Sequence, residues 1–186
     1  KSMKEDACLI NSCRGAVIDN DALSKHLDQA PNFMAVIDVW EEEPAPSDYL
    51  IKQCLLATPH IAGYSLDGKY LGTAMIYEAV CEFLALPIRM KLPQLVPQGS
   101  LRKLSTGHEA KMSFVLNKVL RSGYDVRDDH FRMLSLLGLN NESKAKAFDV
   151  LRKQYPMRRD LNTLTLSAKR LSQPDWMNAV GVKIKS

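Results

Sequence analysis

The 186 residues predict an α/β fold, in which a parallel sheet with helical crossovers is followed by a smaller α+β domain. Three observations carry that prediction. Short apolar runs at Ala7 to Cys13, Met34 to Val39 and Cys54 to Thr58 are separated by helical or loop segments, and the continuous run Met34 to Val39 is typical of a strand covered on both faces. Each run stops at a polar signature: Asn11-Ser12-Cys13-Arg14-Gly15, Asp38-Val39-Trp40-Glu41-Glu42-Glu43-Pro44, and Thr58-Pro59-His60-Ile61-Ala62-Gly63. A proline-rich connector then leads into segments whose apolar positions follow helical spacing.

Lys1 to Asp6 reads as the polar end of a preceding element, so the chain is expected to begin in mid-domain. The first strand follows at Ala7. Asn20 is positioned to cap a helix over Asp21 to Ala30, Pro31-Asn32 ends it, and Met34 to Val39 resumes the sheet as a parallel βαβ unit. Glu41 to Pro46 is a loop, Tyr49 to Gln53 makes about one helical turn, and Pro59 terminates the third strand. The apolar stretch Leu71 to Leu86 carries Glu78 and Glu82 one turn apart, as in a buried helix with one wet stripe.

Pro87, Pro93 and Pro97 with Gly99 make 87–100 an extended linker between a first domain at 1–86 and a second at 101–186. Thr106 and Glu109 have the spacing of a capping box for a helix bearing Phe114, Val115, Val119 and Leu120. Asp129 to Leu137 and Glu142 to Tyr155 are further helices, while Leu161 to Ser167 and Val180 to Lys185 alternate as half-exposed strands.

Composition narrows the function classes. No run of eighteen apolar residues is present and the start lacks the apolar core of a secretory signal, so a soluble cytoplasmic protein is expected. Cysteines 8, 13, 54 and 81 have no finger or C-x-x-C spacing and read as small buried apolar residues of a reducing compartment, without disulfides. Net charge is +4, but residues 1–100 hold 8 Lys+Arg against 13 Asp+Glu, and residues 101–186 hold 17 against 8. The basic residues are spread along helices with apolar faces and form no basic run. A solvated or docking face is therefore preferred over nucleic-acid binding. His108-Glu109-Ala110-Lys111-Met112 lacks the second histidine of a zinc protease, and no other metal spacing occurs.

The three signatures put an arginine, a carboxylate and a histidine at the ends of neighbouring strands, roughly 5 Å apart, where open α/β sheets bind ligands. Imidazole titrates near neutrality, so His60 can take a proton from an alcohol and return it. A carboxylate at Glu43 would fix its tautomer and favour the imidazolium that forms. The guanidinium fork of Arg14, set on a turn by Gly15, suits bidentate capture of a carboxylate.

These residues resemble the D-2-hydroxyacid dehydrogenases, whose NAD domain ends in N-x-x-R-G, D-V-[FW]-x-x-E-P and P-H-I-[AG]-G strands. The resemblance spans Ala7 to Leu86. It implies the C-terminal half of a Rossmann-type sheet, hydride transfer between C2 of a 2-hydroxy acid and NAD, and Arg14, Glu43 and His60 as substrate-binding, relay and acid/base residues. By the same resemblance Ser12, Cys13, Arg14, Asp38 and Gly63 lie against the cofactor, and Tyr64 and Arg14 against the substrate.

Trp40, the Tyr64-Ser65 ending, Gly123 to Asp129 and Leu151 to Arg159 narrow the likeness to members with an extra C-terminal domain. That implies a phosphorylated 2-hydroxy acid and a homodimer built through 101–186. No G-x-G-x-x-G occurs, so the chain reads as the C-terminal portion of an enzyme, inactive by itself. The competing reading is a non-catalytic dimerisation or protein-interaction module built on a dehydrogenase-like fold.

Overall fold

The computed structural model describes residues 3–99, 101–106, 111–167 and 181–185. Its elements run β1 (Cys8–Asn11), α1 (Asn20–Gln29), β2 (Met34–Ile37), α2 (Asp48–Gln53), β3 (Leu56–Ala57), α3 (Leu66–Phe83), α4 (Leu92–Leu95), β4 (Lys103–Ser105), α5 (Met112–Gly123), α6 (Val126–Leu134), α7 (Asn141–Lys153), β5 (Thr165–Ser167) and β6 (Lys183–Lys185).

β1, β2 and β3 form a parallel sheet in that order, with Cys8 opposite Met34, Asn11 opposite Ile37 and Ala57 also opposite Ile37. Parallel register puts all three carboxyl ends on one side, so the turns after Asn11, Ile37 and Ala57 share that side. α1 is capped by Asp19, whose Oδ1 accepts from the Ala22 amide at 2.8 Å, and not by the expected Asn20. Either residue type can cap; the extended backbone of Asp19 (φ −60°, ψ 109°) selects it, while the Asn20 amide donates back to the Ile18 carbonyl.

Ala35, Ile37, Leu50, Ile51 and Ala57 form a core that is almost completely buried. β2 is not covered on both faces along its whole length as its continuous apolar run predicts, since Met34 is 39% exposed while Ala35 and Ile37 are buried. Cys8 and Cys13 are likewise exposed, whereas Cys54 and Cys81 are buried and all four thiols are free. Burial pushes the Cys54 thiol up to about 12.

Contacts group the chain otherwise than a cut at 87–100. One unit joins residues 1–62 to 126–155, and the other joins 63–125 to 156–186. In the first, Met133, Leu136 and Phe148 of the α6–α7 region complete the core of the β1–β3 sheet. The two-residue strand β3 lies at the edge of that sheet, and the amphipathic helices cover it. Asn140 caps α7 through the Ser143 amide, as its place before the helix favours.

In the second unit, β4, β5 and β6 form a parallel sheet packed through Leu164, Leu166 and Val182 on Val115 and Val119 of α5. The short α4 arises within the expected extended linker, β4 is a strand not anticipated from the sequence, and Leu161–Thr163 is a 3-10 turn preceding the strand predicted to start there. α5 begins at Met112 with Lys111 at its cap; residues 107–110 of the expected capping box lie outside the described residues. Among the described residues no helix is long and apolar enough to cross a membrane.

Asp67 at the start of α3 accepts from Arg159 Nε and Nη2, both at 2.8 Å, and from the Asp160 amide at 2.7 Å. The Arg159 hydrogen bonds hold its carboxyl below the ordinary carboxylate value. A carboxyl lowered by folding stabilises the fold above its unfolded value, about 4, and that contribution is lost as pH falls through the folded value. Thermal melts from pH 6 to pH 2 should therefore show a steeper acid decline for the native chain than for Asp67→Asn. Parallel declines would contradict the pair's role.

Candidate active site

Ser12, Cys13, Arg14, Asp38, Glu43 and His60 all follow the carboxyl end of a strand. The buried Asn11 closes β1 and organises the first turn, its amide donating to the Arg14 carbonyl at 3.0 Å and its Oδ1 accepting from the Cys13 amide at 3.2 Å. Ser12, Cys13 and Arg14 are exposed there, and the Arg14 Nη1 donates to the Cys13 carbonyl at 2.6 Å. Gly15 is required by close approach: a Cβ built on it would stand 2.1 Å from the Trp40 carbonyl oxygen. The Arg14 turn therefore lies directly against the start of the Glu43 turn.

The second turn separates three neighbouring glutamates by role. Glu41 Oε2 accepts from the Asn20 amide at the beginning of α1 at 2.8 Å. Glu42 is exposed. Glu43 turns inward, its Oε1 accepting from the Trp40 amide at 2.9 Å and its Oε2 lying 2.8 Å from His60 Nδ1. Its side chain is 23% exposed and that of His60 29%, so the pair is partly screened from water yet open on one side.

His60 adopts φ +54°, a left-handed conformation uncommon for a non-glycine residue. Asp38 holds it there. The Asp38 carbonyl accepts from the His60 amide at 2.8 Å, its Oδ1 accepts from the Ile61 amide at 2.8 Å and the Thr58 hydroxyl at 2.5 Å, and its Oδ2 accepts from the Ala62 amide at 3.0 Å. Trp40 closes the network by donating its indole N–H to the Thr58 carbonyl at 3.0 Å. Sequence reasoning placed Asp38 near a cofactor but missed this clamp, together with Asn11, Trp40 and Thr58. The only available signal was the fixed spacing within each signature.

A carboxylate can only accept, so the proton shared with Glu43 sits on Nδ1 and leaves Nε2 with a free lone pair. The structure thus brings Asp38, Glu43, His60 and the turn bearing Ser12, Cys13 and Arg14 to one end of one sheet. Gly63 and Tyr64 belong to the second unit. Gly63 has φ +85° with open space where a Cβ would stand, and the Lys69 ammonium lies 4.5 Å from the centre of the Tyr64 ring. A cavity of about 320 Å³ in that unit is lined by Ser122, Arg158, Arg159 and Asp160 among others, but Arg159 is occupied by Asp67 and no acid–base pair faces it.

Residues 1–62 match the family model of the D-isomer specific 2-hydroxyacid dehydrogenase NAD binding domain, and residues 95–181 match a domain of unknown function (DUF3410). Curated relatives similar to the chain include an erythronate-4-phosphate dehydrogenase of Marinobacter nauticus, 43% identical over 99% of this chain and 48% of its own length. Proteins of the same name from Ectopseudomonas mendocina and Hahella chejuensis are 47% and 36% identical, over 88% and 100% of this chain and 43% and 49% of their own lengths. The chain spans about half the length of the curated relatives it matches.

Proposed function

We propose that the chain, whose residues 1–62 match the D-isomer specific 2-hydroxyacid dehydrogenase NAD binding domain, contributes the acid–base machinery of an erythronate-4-phosphate dehydrogenase. The reaction is oxidation of 4-phospho-D-erythronate to (R)-3-hydroxy-2-oxo-4-phosphooxybutanoate, on the route to pyridoxal 5'-phosphate. The observation that carries this reading is the 2.8 Å bond between Glu43 and His60 at the carboxyl end of the sheet.

When bound, NAD supplies the acceptor for the C2 hydride. The residues present fit it: the Ser12 to Arg14 turn is exposed at the carboxyl end of the parallel sheet, where such sheets take ligands. Nε2 of His60 takes the C2 hydroxyl proton as that hydroxyl becomes a carbonyl, and Glu43 stabilises the imidazolium. Arg14 keeps outward donors beyond the one given to Cys13, which suits it to grip the substrate carboxylate and polarise the new carbonyl. Tyr64 is assigned to the substrate by the family pattern alone.

Residues 101–186 are assigned to homodimerisation by the family resemblance, with the 59% exposed Phe114 in support. The non-catalytic reading leaves the Glu43–His60 bond unexplained. The test is formation of reduced nicotinamide by the complete enzyme with NAD and 4-phospho-D-erythronate, beside light scattering of the same sample. Turnover by a species of twice the chain mass is expected. Absence of turnover refutes the activity, and a monomer refutes the dimer.

A further inference from the structure

Two side chains of the α6–α7 region reach the backs of the loops that carry the acid–base pair. Lys144 on α7 is 5% exposed; its Nζ ion-pairs with Asp48 Oδ1 at 2.5 Å and donates to the Pro46 carbonyl at 3.2 Å. The other Asp48 oxygen accepts from the Gly138 amide, between α6 and α7, at 2.8 Å. The Lys144 hydrogen bond holds the Asp48 carboxyl below its ordinary value. Pro46 and Asp48 flank Ser47, where the Glu43 turn enters α2.

His130 on α6 acts at the other loop. Its Nδ1 accepts from the Ala57 amide at 3.0 Å, at the outer edge of β3, where a further strand would otherwise supply an acceptor. Ala57 immediately precedes Thr58, whose hydroxyl bonds Asp38, the clamp of the His60 turn. A buried ammonium is an expensive way to pack a helix, since apolar residues of similar volume serve stability as well or better. The directed bonds instead fix the position of two backbone segments.

We propose that Lys144 and His130 are positioning residues for the Glu43–His60 pair, holding from outside the sheet the two loops whose separation sets the 2.8 Å contact. The significance of that contact rests on the acid–base reading above, but the contact itself is measurable without turnover. The readout is the tautomer of neutral His60, measured by nitrogen-15 NMR of the imidazole in the 186-residue chain. Glu43 enforces a proton on Nδ1, against the intrinsic preference of a free histidine side chain for Nε2.

The native chain should show the Nδ1–H form. Lys144→Met and His130→Phe, with native circular dichroism, should shift His60 toward the Nε2–H form, and His130→Asn, which restores an acceptor, should return it. Native His60 spectra in both of the first two variants overturn the proposal, as does an equal shift in His130→Asn and His130→Phe, which would trace the effect to packing. If Lys144→Met does not fold, the His130 variants decide. A dehydrogenase assay that finds no turnover refutes the functional reading and leaves this measurement standing.

Discussion

Replacing His60 by alanine in the complete enzyme is expected to lower turnover by roughly 10² to 10⁴, the usual loss when a positioned general base is removed. The loss should fall mainly on kcat, because the turn bearing Ser12, Cys13 and Arg14 is untouched. Alanine also carries a second, smaller cost, since position 60 has φ +54°, a left-handed conformation in which histidine and asparagine are found more often than alanine. His60→Asn removes that ambiguity: asparagine tolerates the conformation and cannot take the proton. Both variants should lose turnover by similar factors, with the asparagine form melting closer to the native enzyme. Native turnover in folded His60→Asn would strip the residue of its role.

The second large effect belongs to Asp38→Ala. Three donors lose their acceptor at once, and two of them, the Thr58 hydroxyl and the Ile61 amide, belong to residues about 5% exposed or less. A buried donor left unsatisfied costs about 1–3 kcal/mol, so the variant should be destabilised by about 2–6 kcal/mol, measured by urea unfolding. Turnover should drop as well although Glu43, His60 and Arg14 are intact, because the side-chain bonds to Thr58, Ile61 and Ala62 are gone and only the main-chain bond from the His60 amide to the carbonyl of residue 38 still holds the His60 backbone. A variant as stable as the native chain would show that the clamp does not carry the turn. One that is destabilised yet fully active would separate the clamp from the chemistry.

The placement of Arg14, Glu43 and His60 beyond the carboxyl ends of strands is legible in the sequence because each stands a few residues past an apolar run. Strand direction follows from the segments between those runs. Within the cluster of glutamates, however, residues 41, 42 and 43 look alike along the chain. The Trp40 amide and the His60 ring select Glu43, while Glu41 is drawn to the beginning of α1. Gly15 reads as a freely turning residue, yet its backbone presses on the Trp40 carbonyl, a fact about a residue 25 positions away.

Local pattern likewise predicts apolar faces on α6 and α7 but says nothing of their partner. Periodicity states that a helix must bury a stripe; many surfaces can satisfy it. Met133, Leu136 and Phe148 enter the core of the β1–β3 sheet, and polar bonds spanning 73 and 98 positions, from His130 to Ala57 and from Lys144 to Pro46, give that packing its register. The strands and the reactive groups at their ends are written in runs of a few residues, where backbone preference and alternation act locally. The closeness of Glu43 to His60, the tautomer it imposes and the covering of the sheet edge depend on contacts between distant segments, which form only when apolar surface is buried collectively and directed hydrogen bonds choose among the possible arrangements.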